Sequence, residues 1–209
     1  MNRVLTAHIG RRQLLAGTVA SAAIAMLPAR AAAAATDSRL LQIARRELDR
    51  VGGQVLVQDV VGLADFSLPS SEPRFFIVNM ISGDVKHFYV THGRGSDPEH
   101  DGWLKAFSNN YGSNATSRGA YVTRNYYEGK HGLSVRLSGL DHDNNNAEER
   151  AIVVHGAGYA NPDLIRTTGK LGRSEGCFAF SFDRLTEVIA RLGTGRMIFA
   201  DRLEGPFIA

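Results

Sequence analysis

The 209-residue chain contains a single cysteine, Cys177, which excludes a disulfide within the chain. The apolar stretch from Leu14 to Leu27 is shorter than the ~20 residues of a comfortable membrane span. There are no internal repeats. The histidines show no tight ligand spacing, so His100 and His142, although near acidic residues, do not predict a zinc site. We expect no metal.

The N-terminal 35 residues have the order of an export signal. Arg3 and the pair Arg11-Arg12 form a basic opening, an apolar segment follows, and Pro28 precedes an alanine run. The paired arginines favour the twin-arginine type, which carries folded proteins. We therefore predict an export signal over residues 1–35 and a location in the periplasm or cell envelope. The alternative is a retained N-terminal anchor.

The surplus of basic charge belongs mainly to that N-terminal segment. Residues 1–35 carry four arginines and no acid, which leaves 20 basic and 21 acidic residues in the rest of the chain. A nucleic-acid-binding domain needs a lysine- and arginine-rich surface on its folded part. We therefore expect no nucleic-acid partner.

The rest of the chain predicts one mainly β (α+β) domain. Residues 36–50 form an amphipathic helix, with a linker to residue 53, and Ser181 opens a second helix that ends near Leu192. Between and after them, residues 54–209 predict many short strands joined by turns. The predicted strands cover residues 54–60, 62–66, 74–80, 85–91, 119–123, 133–137, 151–155 and 196–200.

Two long polar segments interrupt these strands, at residues 92–118 and 141–149. Loops of this length inside a domain are usually functional or disordered. Their glycine, serine and asparagine content suits a groove for a polar substrate. It suits solvated turns equally well.

Cys177 follows Gly176 in the polar turn Gly172-Arg-Ser-Glu-Gly-Cys. A glycine permits a sharp turn and leaves room for an acyl group to approach a thiol nucleophile. Arg173 can hold a substrate carboxylate, and Ser174 can orient the turn. The alternative is a buried cysteine that acts as a small apolar residue.

His155 ends the apolar run Ala151-Ile-Val-Val and is followed by Gly156. A histidine at the end of a strand is often structural. An unpaired cysteine in a glycine-flanked turn nearby favours a catalytic role for this histidine, because a cysteine and a histidine form the minimal pair of nucleophile and base.

Several motifs in this order resemble the L,D-transpeptidase catalytic domain (YkuD-like) family, which acts on peptidoglycan. The resemblance covers roughly residues 55–200 and rests on the texts Asp65-Phe-Ser, His92-Gly-Arg-Gly-Ser, Phe107-Ser-Asn, Tyr126-Tyr-Glu-Gly-Lys-His-Gly, Arg150-Ala-Ile-Val-Val-His-Gly and Gly172-Arg-Ser-Glu-Gly-Cys.

This resemblance implies a β-sandwich-like domain in which Cys177 attacks a tetrapeptide stem and His155 acts as the base, without a cofactor. Substrate would contact Gly156, Arg173 and Glu175, and the cleft would be lined by side chains from the recognised motifs and nearby strands: His92, Tyr121, Tyr126, Tyr127 and His131. The alternative for these lining side chains is ordinary loop structure. Glu175 replaces the histidine that is usual in the family, which leaves His155 as the base. Ala179 replaces an arginine or asparagine, and Arg173 is the expected substitute.

Three functions remain open from the sequence. The first is a transferase that passes the acyl group to an amine, including one on a wall lipoprotein. The second is a carboxypeptidase that passes it to water. The third, suggested by Glu175 and Ala179, is a non-catalytic peptidoglycan-binding domain of the same fold. The oligomeric state is not predicted.

Overall fold

The computed structural model describes residues 29–203. Most of the predicted export signal, residues 1–28, therefore lies outside the described residues, while residues 29–35 begin the first helix. The described elements are α1 (Ala29–Val51), β1 (Val60–Asp65), β2 (Phe75–Asn79), β3 (Val85–Phe88), β4 (Gly119–Gly129), β5 (Gly132–Gly139), β6 (Val153–Gly156), α2 (Asp163–Thr168), β7 (Phe178–Phe180), α3 (Phe182–Arg191) and β8 (Met197–Asp201).

The strands form one mixed sheet in the order β3-β2-β1-β8-β4-β5-β6-β7. Strands β1 and β8 are parallel, as are β6 and β7, and the remaining neighbours are antiparallel. The predicted α+β class with many short strands is therefore confirmed.

The sheet curls so that strands far apart in its order meet. Phe75 in β2 contacts Phe180 in β7, with ring centroids 4.9 Å apart. In a flat sheet, strands six positions apart would be separated by roughly 29 Å. Close to this contact the N–H of Thr91 donates to the carbonyl of Ala179 at 3.1 Å. All eight strands contribute to the apolar core inside this curl.

Helix α1 covers the outer face of the sheet. Leu40, Ile43 and Leu48 are buried in a second cluster with Val61 and Leu63 of β1. The apolar positions recur every three or four residues, so one face of the helix packs while the other remains solvated. The predicted helix is thus part of the domain's packing.

The C-terminal end of α1 is also bound by charge. Arg50 pairs with Asp141 through two hydrogen bonds of 2.5 and 2.8 Å, and it also bonds Glu47. Asp141 in turn accepts a hydrogen bond from the backbone of Ala120 in β4. This network connects the helix to the sheet and to the 141–149 segment.

The strand predicted over residues 54–60 is wrong. Residues Gly52–Gln54 continue α1 as a 3-10 turn, and β1 begins only at Val60. Val55 packs in the cluster of α1 instead, and Leu56 is exposed, so this apolar run does not form a strand.

Two elements were missed by the sequence analysis. Helix α2 has only six residues, too few to show a periodic apolar face. Strand β7 has three residues, and its neighbours belong to the cysteine turn. The antiparallel strands β2 and β3 are joined by a turn in which the Asn79 side chain accepts from the N–H groups of Ile81 and Ser82.

Candidate active site

Strands β6 and β7 bring His155 and Cys177 together. These strands are parallel neighbours, in which His155 pairs with Ala179 and Val154 with Phe178. Val154 and Phe178 are buried in the core. Because side chains alternate along a strand, His155 and Cys177 point to the opposite, outer face of the sheet.

The turn before Cys177 is held by Ser174. Its hydroxyl donates to the carbonyl of Cys177 at 2.7 Å and accepts from the N–H of Gly176 at 3.2 Å. Gly176 has φ +115°, and a Cβ there would lie 2.7 Å from the carbonyl oxygen of Ala115. Both the conformation and the space therefore require glycine.

Cys177 is a half-buried thiol that bonds the backbone of Ala151 and of Val153 in β6. Its Sγ donates to the carbonyl of Ala151 at 3.5 Å. Burial raises the pKa of the Cys177 thiol, while the N–H of Val153 and the charges of Lys130 and Arg150 act in the opposite direction. The net shift is upward, so the resting group is a thiol.

The carbonyl that accepts from this thiol belongs to a residue with an unusual backbone. Ala151 has φ +54°, a left-handed conformation that is uncommon for residues other than glycine. Such strain persists only where neighbouring structure enforces it. Here it turns the Ala151 carbonyl toward the sulfur.

The ring of His155 is fixed by its own strand. Nδ1 lies 2.9 Å from the carbonyl of Gly156, and since a carbonyl can only accept, Nδ1 carries the hydrogen. Nε2 is then left with its lone pair. Burial lowers the pKa of His155, with a smaller upward effect of the Gly156 carbonyl and downward effects of His131 and Lys130. The side chain is a neutral imidazole able to accept a proton.

Both side chains line one open pocket of about 510 Å³. The lining residues come from four segments, namely the 3-10 turn Arg94–Ser96, the end of β4 with the β4–β5 turn, the segment from residue 150 to 159, and the cysteine turn. They are Arg94, Tyr127, Lys130, His131, Arg150, Ala151, Val153, His155, Tyr159, Arg173, Ser174, Glu175 and Cys177. A neutral thiol and imidazole at the wall of such a pocket can act as nucleophile and base.

Several of the predicted site residues do line this pocket. His131 stacks on His155, with ring centroids 4.2 Å apart. Glu175 is exposed and pairs with Arg94 at 3.0 Å. Arg173 also lies at the pocket, where its guanidinium donates to the backbone carbonyls of residues 97 and 98. Tyr127 completes this group.

Tyr121 does not line the pocket, which corrects the expectation that it forms a wall. The side chain is fully buried in the core, and its hydroxyl bonds the carbonyl of Ser117 at 2.7 Å. Burial raises its pKa. Strand alternation turns Tyr121 inward, toward Phe178, rather than toward the thiol.

Gly156 likewise lies outside the pocket lining. It is buried, and a Cβ on it would lie 2.6 Å from the ring of Phe182. Its contact with the site is the carbonyl that fixes His155, so the expected direct contact with substrate is corrected to a positioning role. Ala179 is also fully buried, with its side chain among Ala157 and Ala160.

His92 is buried behind the cysteine turn rather than in the cleft. Arg74 donates to its Nδ1 at 2.8 Å, so Nε2 carries the hydrogen that bonds Asp97 at 3.1 Å. Burial, followed by the charge of Arg74, lowers the pKa of His92. The carbonyl of His92 accepts from the N–H of Ser174 at 2.9 Å, and the carbonyl of Ser174 accepts from the backbone N–H of Arg94 at 2.8 Å. This buried network supports the turn that carries Cys177.

The two polar segments have different roles. In the 141–149 segment, Asn144 is fully buried and donates to the carbonyl of Ala120 at 2.8 Å, so the segment is ordered by its own side chains. The 92–118 segment reaches the site through Arg94 and through Arg150, which donates to the carbonyls of Ser108 and Ala115 at 2.9 and 2.6 Å.

Sequence reasoning missed Arg94, Lys130, Arg150 and Tyr159 as pocket residues. Lys130 and Arg150 stand inside motifs that were singled out, next to His131 and the β6 strand. That adjacency was the available signal. Tyr159 follows Gly156 and Gly158 in an irregular segment, and the sequence there contains no signal for a pocket residue.

Among residues 29–203, no three histidine, cysteine or acidic side chains are grouped as metal ligands. His100 bonds the carbonyl of Leu171 at 3.0 Å, and His142 is exposed. Within the same part of the chain, no helix combines the length and apolar character that a membrane span requires.

Comparison with solved structures gives remote matches to L,D-transpeptidases. One from Mycobacterium smegmatis has 15% identity and a TM-score of 0.43, over 68% of this chain and 58% of that chain. L,D-transpeptidase 3 from Mycobacterium tuberculosis, with a faropenem-derived adduct, has 15% identity and a TM-score of 0.44, over 68% and 60%. One from Xylanimonas cellulosilytica has 14% identity and a TM-score of 0.41, over 68% and 60%.

This chain therefore spans less than two thirds of each of these solved chains. No curated protein sequence matches it significantly. The family model for the L,D-transpeptidase catalytic domain matches residues 33–200. Because that match covers most of the 209 residues, the chain belongs to the L,D-transpeptidase catalytic domain family.

Proposed function

We propose that this protein is an exported cysteine acyltransferase that acts on the tetrapeptide stems of peptidoglycan. The observation that carries the proposal is the placement of His155 in β6 and of Cys177 directly before the parallel neighbouring strand β7, where both line one open pocket. Membership of the L,D-transpeptidase family supplies the substrate class.

In the first step, the Cys177 thiol transfers its proton to Nε2 of His155 as the sulfur attacks the carbonyl carbon before the terminal D-alanine. A C–S bond forms, the C–N bond breaks, and the proton returns from His155 to the leaving amine. The N–H of Val153 lies at the sulfur and favours negative charge there. The products are a thioester on Cys177 and free D-alanine.

In the second step, an amine attacks the thioester. His155 takes its proton, a C–N bond forms, and the Cys177 sulfur leaves and regains a proton. An amine from a neighbouring stem gives a 3→3 cross-link, and a free D-amino acid gives exchange. A wall lipoprotein is a further possible acceptor.

Water in place of the amine would make the enzyme an L,D-carboxypeptidase. The pocket is open, and Glu175 stands beside it on an exposed turn. An open pocket admits either acceptor, so the identity of the nucleophile has to be read from the products.

The pocket's charge agrees with a peptide that carries carboxylates. Four cationic side chains line it, against the single carboxylate of Glu175. A cleft of predominantly one sign concentrates ligands of the opposite sign. Stem peptides, with their free carboxylates, fit this field.

The test is to incubate the purified protein with tetrapeptide muropeptides and to identify products by mass spectrometry. We expect D-alanine release together with a cross-linked dimer, or with an adduct when a D-amino acid is added. Cys177→Ala and His155→Ala should each abolish release. Loss of alanine alone would identify a carboxypeptidase.

Retained turnover in Cys177→Ala would refute the proposal. Binding to purified sacculi without any change in their muropeptides would instead identify a non-catalytic wall-binding domain. Arg166→Met is a suitable control for these variants, because Arg166 is exposed and its ion pair with Asp163 lies on α2, outside the pocket lining.

A further inference from the structure

The pocket has four cationic side chains, and their partners differ. Arg94 pairs with the carboxylate of Glu175 at 3.0 Å. The guanidinium of Arg150 donates hydrogen bonds to backbone carbonyls, including that of Ala115 at 2.6 Å. Arg173 likewise donates to backbone carbonyls, those of residues 97 and 98. All three arginines therefore already hold parts of the protein.

Lys130 is different. It lines the same pocket and is exposed, yet within residues 29–203 its ammonium has neither a hydrogen-bond nor an ion-pair partner. Binding a ligand through Lys130 would break no contact among these residues, whereas binding through Arg173 would compete with its carbonyls. The carboxylate-binding role expected of Arg173 is therefore better suited to Lys130.

The position of Lys130 indicates which part of a substrate it would meet. It lies in the turn between β4 and β5, next to His131, and His131 stacks on His155. Lys130, His155 and Cys177 line the same pocket, so one bound substrate can reach all three.

The proposed chemistry then fixes the geometry of the leaving residue. Its amine has to receive a proton from His155, within hydrogen-bond reach of Nε2. In an α-amino acid the carboxylate is separated from that amine by a single carbon atom. The terminal carboxylate of the leaving residue must therefore lie near His155, within the pocket that Lys130 also lines.

We propose that Lys130 binds the free C-terminal carboxylate of the residue that leaves, and so selects stems that end at that residue. This inference rests on the proposed function. A lysine ammonium acts as a compact point charge, which suits a carboxylate approaching from different directions. A stem with an amide at this position, or with one more residue, would leave Lys130 without its ionic partner.

The experiment compares two synthetic tetrapeptide stems that differ only at the C terminus, a free carboxylate or a primary amide. We expect wild-type kcat/KM for release of the terminal residue to be roughly tenfold higher for the free acid, as for one charge-assisted hydrogen bond in an open site. In Lys130→Met, the free-acid value should fall to about the amide value of the same variant, so that the acid-to-amide ratio drops from roughly ten to about one.

Lys86→Met is the matched control, since Lys86 is an exposed lysine that pairs with Glu187 away from the pocket. It should keep the tenfold preference. Binding of the two stems can be measured without turnover by calorimetry in a Cys177→Ala background. There, Lys130→Met should weaken binding of the free acid about tenfold and leave that of the amide unaffected.

An unchanged acid-to-amide ratio in Lys130→Met, or a wild type that does not distinguish the two stems, would overturn the carboxylate site while leaving the proposed function intact. Folded wild type that releases neither alanine nor its amide would instead overturn the proposed function, and the carboxylate site with it.

Discussion

The imidazole rings of His131 and His155 stack with their centroids 4.2 Å apart. Two imidazoles in contact disfavour a second positive charge, and burial of His155 disfavours even the first. The thiol of Cys177 is also held in its neutral form, because burial raises its pKa. The resting pair is therefore a thiol beside a neutral imidazole rather than a thiolate–imidazolium pair.

We predict that the acidic limb of the pH dependence of kcat/KM lies below the ordinary imidazole value of about 6.5. The pKa of His155 is lowered by burial, opposed by the carbonyl of Gly156, and lowered further by His131 and Lys130. A lowered pKa means that the imidazole remains neutral, and able to accept a proton, at lower pH.

His131→Phe tests the cause, since it retains a stacked ring and removes the second imidazole that lowers the pKa of His155. The acidic limb should move upward by a few tenths of a pH unit. A limb above pH 6.5 in the wild type would contradict the neutral-pair description.

The negative charge of Glu175 should slow alkylation of the resting Cys177 thiol. The pKa of Cys177 is raised first by burial and also by the charge of Glu175, against the N–H of Val153 and two cationic groups. Glu175→Gln removes that negative charge and frees the guanidinium of Arg94. We expect alkylation by iodoacetamide at pH 7 to become roughly threefold faster, because more thiolate is present.

Glu149→Gln is the control for this measurement, because Glu149 is an exposed acid outside the pocket lining. Its alkylation rate should equal that of the wild type. Slower alkylation of Glu175→Gln would show that Glu175 helps to ionise Cys177.

Gly176→Ala should damage both the fold and the site. The residue has φ +115°, and the new Cβ would lie 2.7 Å from the carbonyl of Ala115 and 2.9 Å from Ile152. We expect a loss of about 1–3 kcal/mol in the free energy of unfolding, and a kcat at least tenfold lower because the thiol moves. Chemical denaturation and kinetics measure the two effects.

Gly158→Ala is the paired control, since nothing lies within 4 Å of a Cβ there and its φ is not positive. It should change the free energy of unfolding by less than about 0.5 kcal/mol. Equal effects at both positions would argue against a special requirement at Gly176.

Ile43→Ala tests whether helix α1 is part of the domain's core. Ile43 is buried against β1, so its truncation should cost about 2–4 kcal/mol of the free energy of unfolding. Leu56→Ala removes a comparable side chain that is exposed, and should be nearly neutral. A neutral Ile43→Ala would mean that the helix detaches without loss to the sheet.

Local patterns were sufficient to single out Cys177 and His155 as a candidate pair. Cys177 and His155 were predicted as partners from a glycine-flanked turn and the end of an apolar strand, and strand pairing places them on one face. Alternation within β4 turned Tyr121 inward, and this direction depends on a register that the sequence leaves undetermined.

The rest of the pocket depends on contacts between distant segments. Arg150 reaches the 108–117 loop. The lack of a partner for Lys130 among residues 29–203 follows only from the positions of the other charged side chains there. Similarly, the hydrogen bonds from the Arg173 guanidinium to backbone carbonyls are visible only in the folded chain. Such assignments need the three-dimensional arrangement, because residue type alone does not reveal which charges are already neutralised.

The central claim is that Cys177 carries the acyl group. Intact-protein mass spectrometry after rapid mixing with a tetrapeptide stem and acid quenching tests it directly. The account predicts an adduct equal to the stem minus D-alanine, released by hydroxylamine and absent in Cys177→Ala. D-alanine release by Cys177→Ala, or an adduct that persists in that variant, would contradict it.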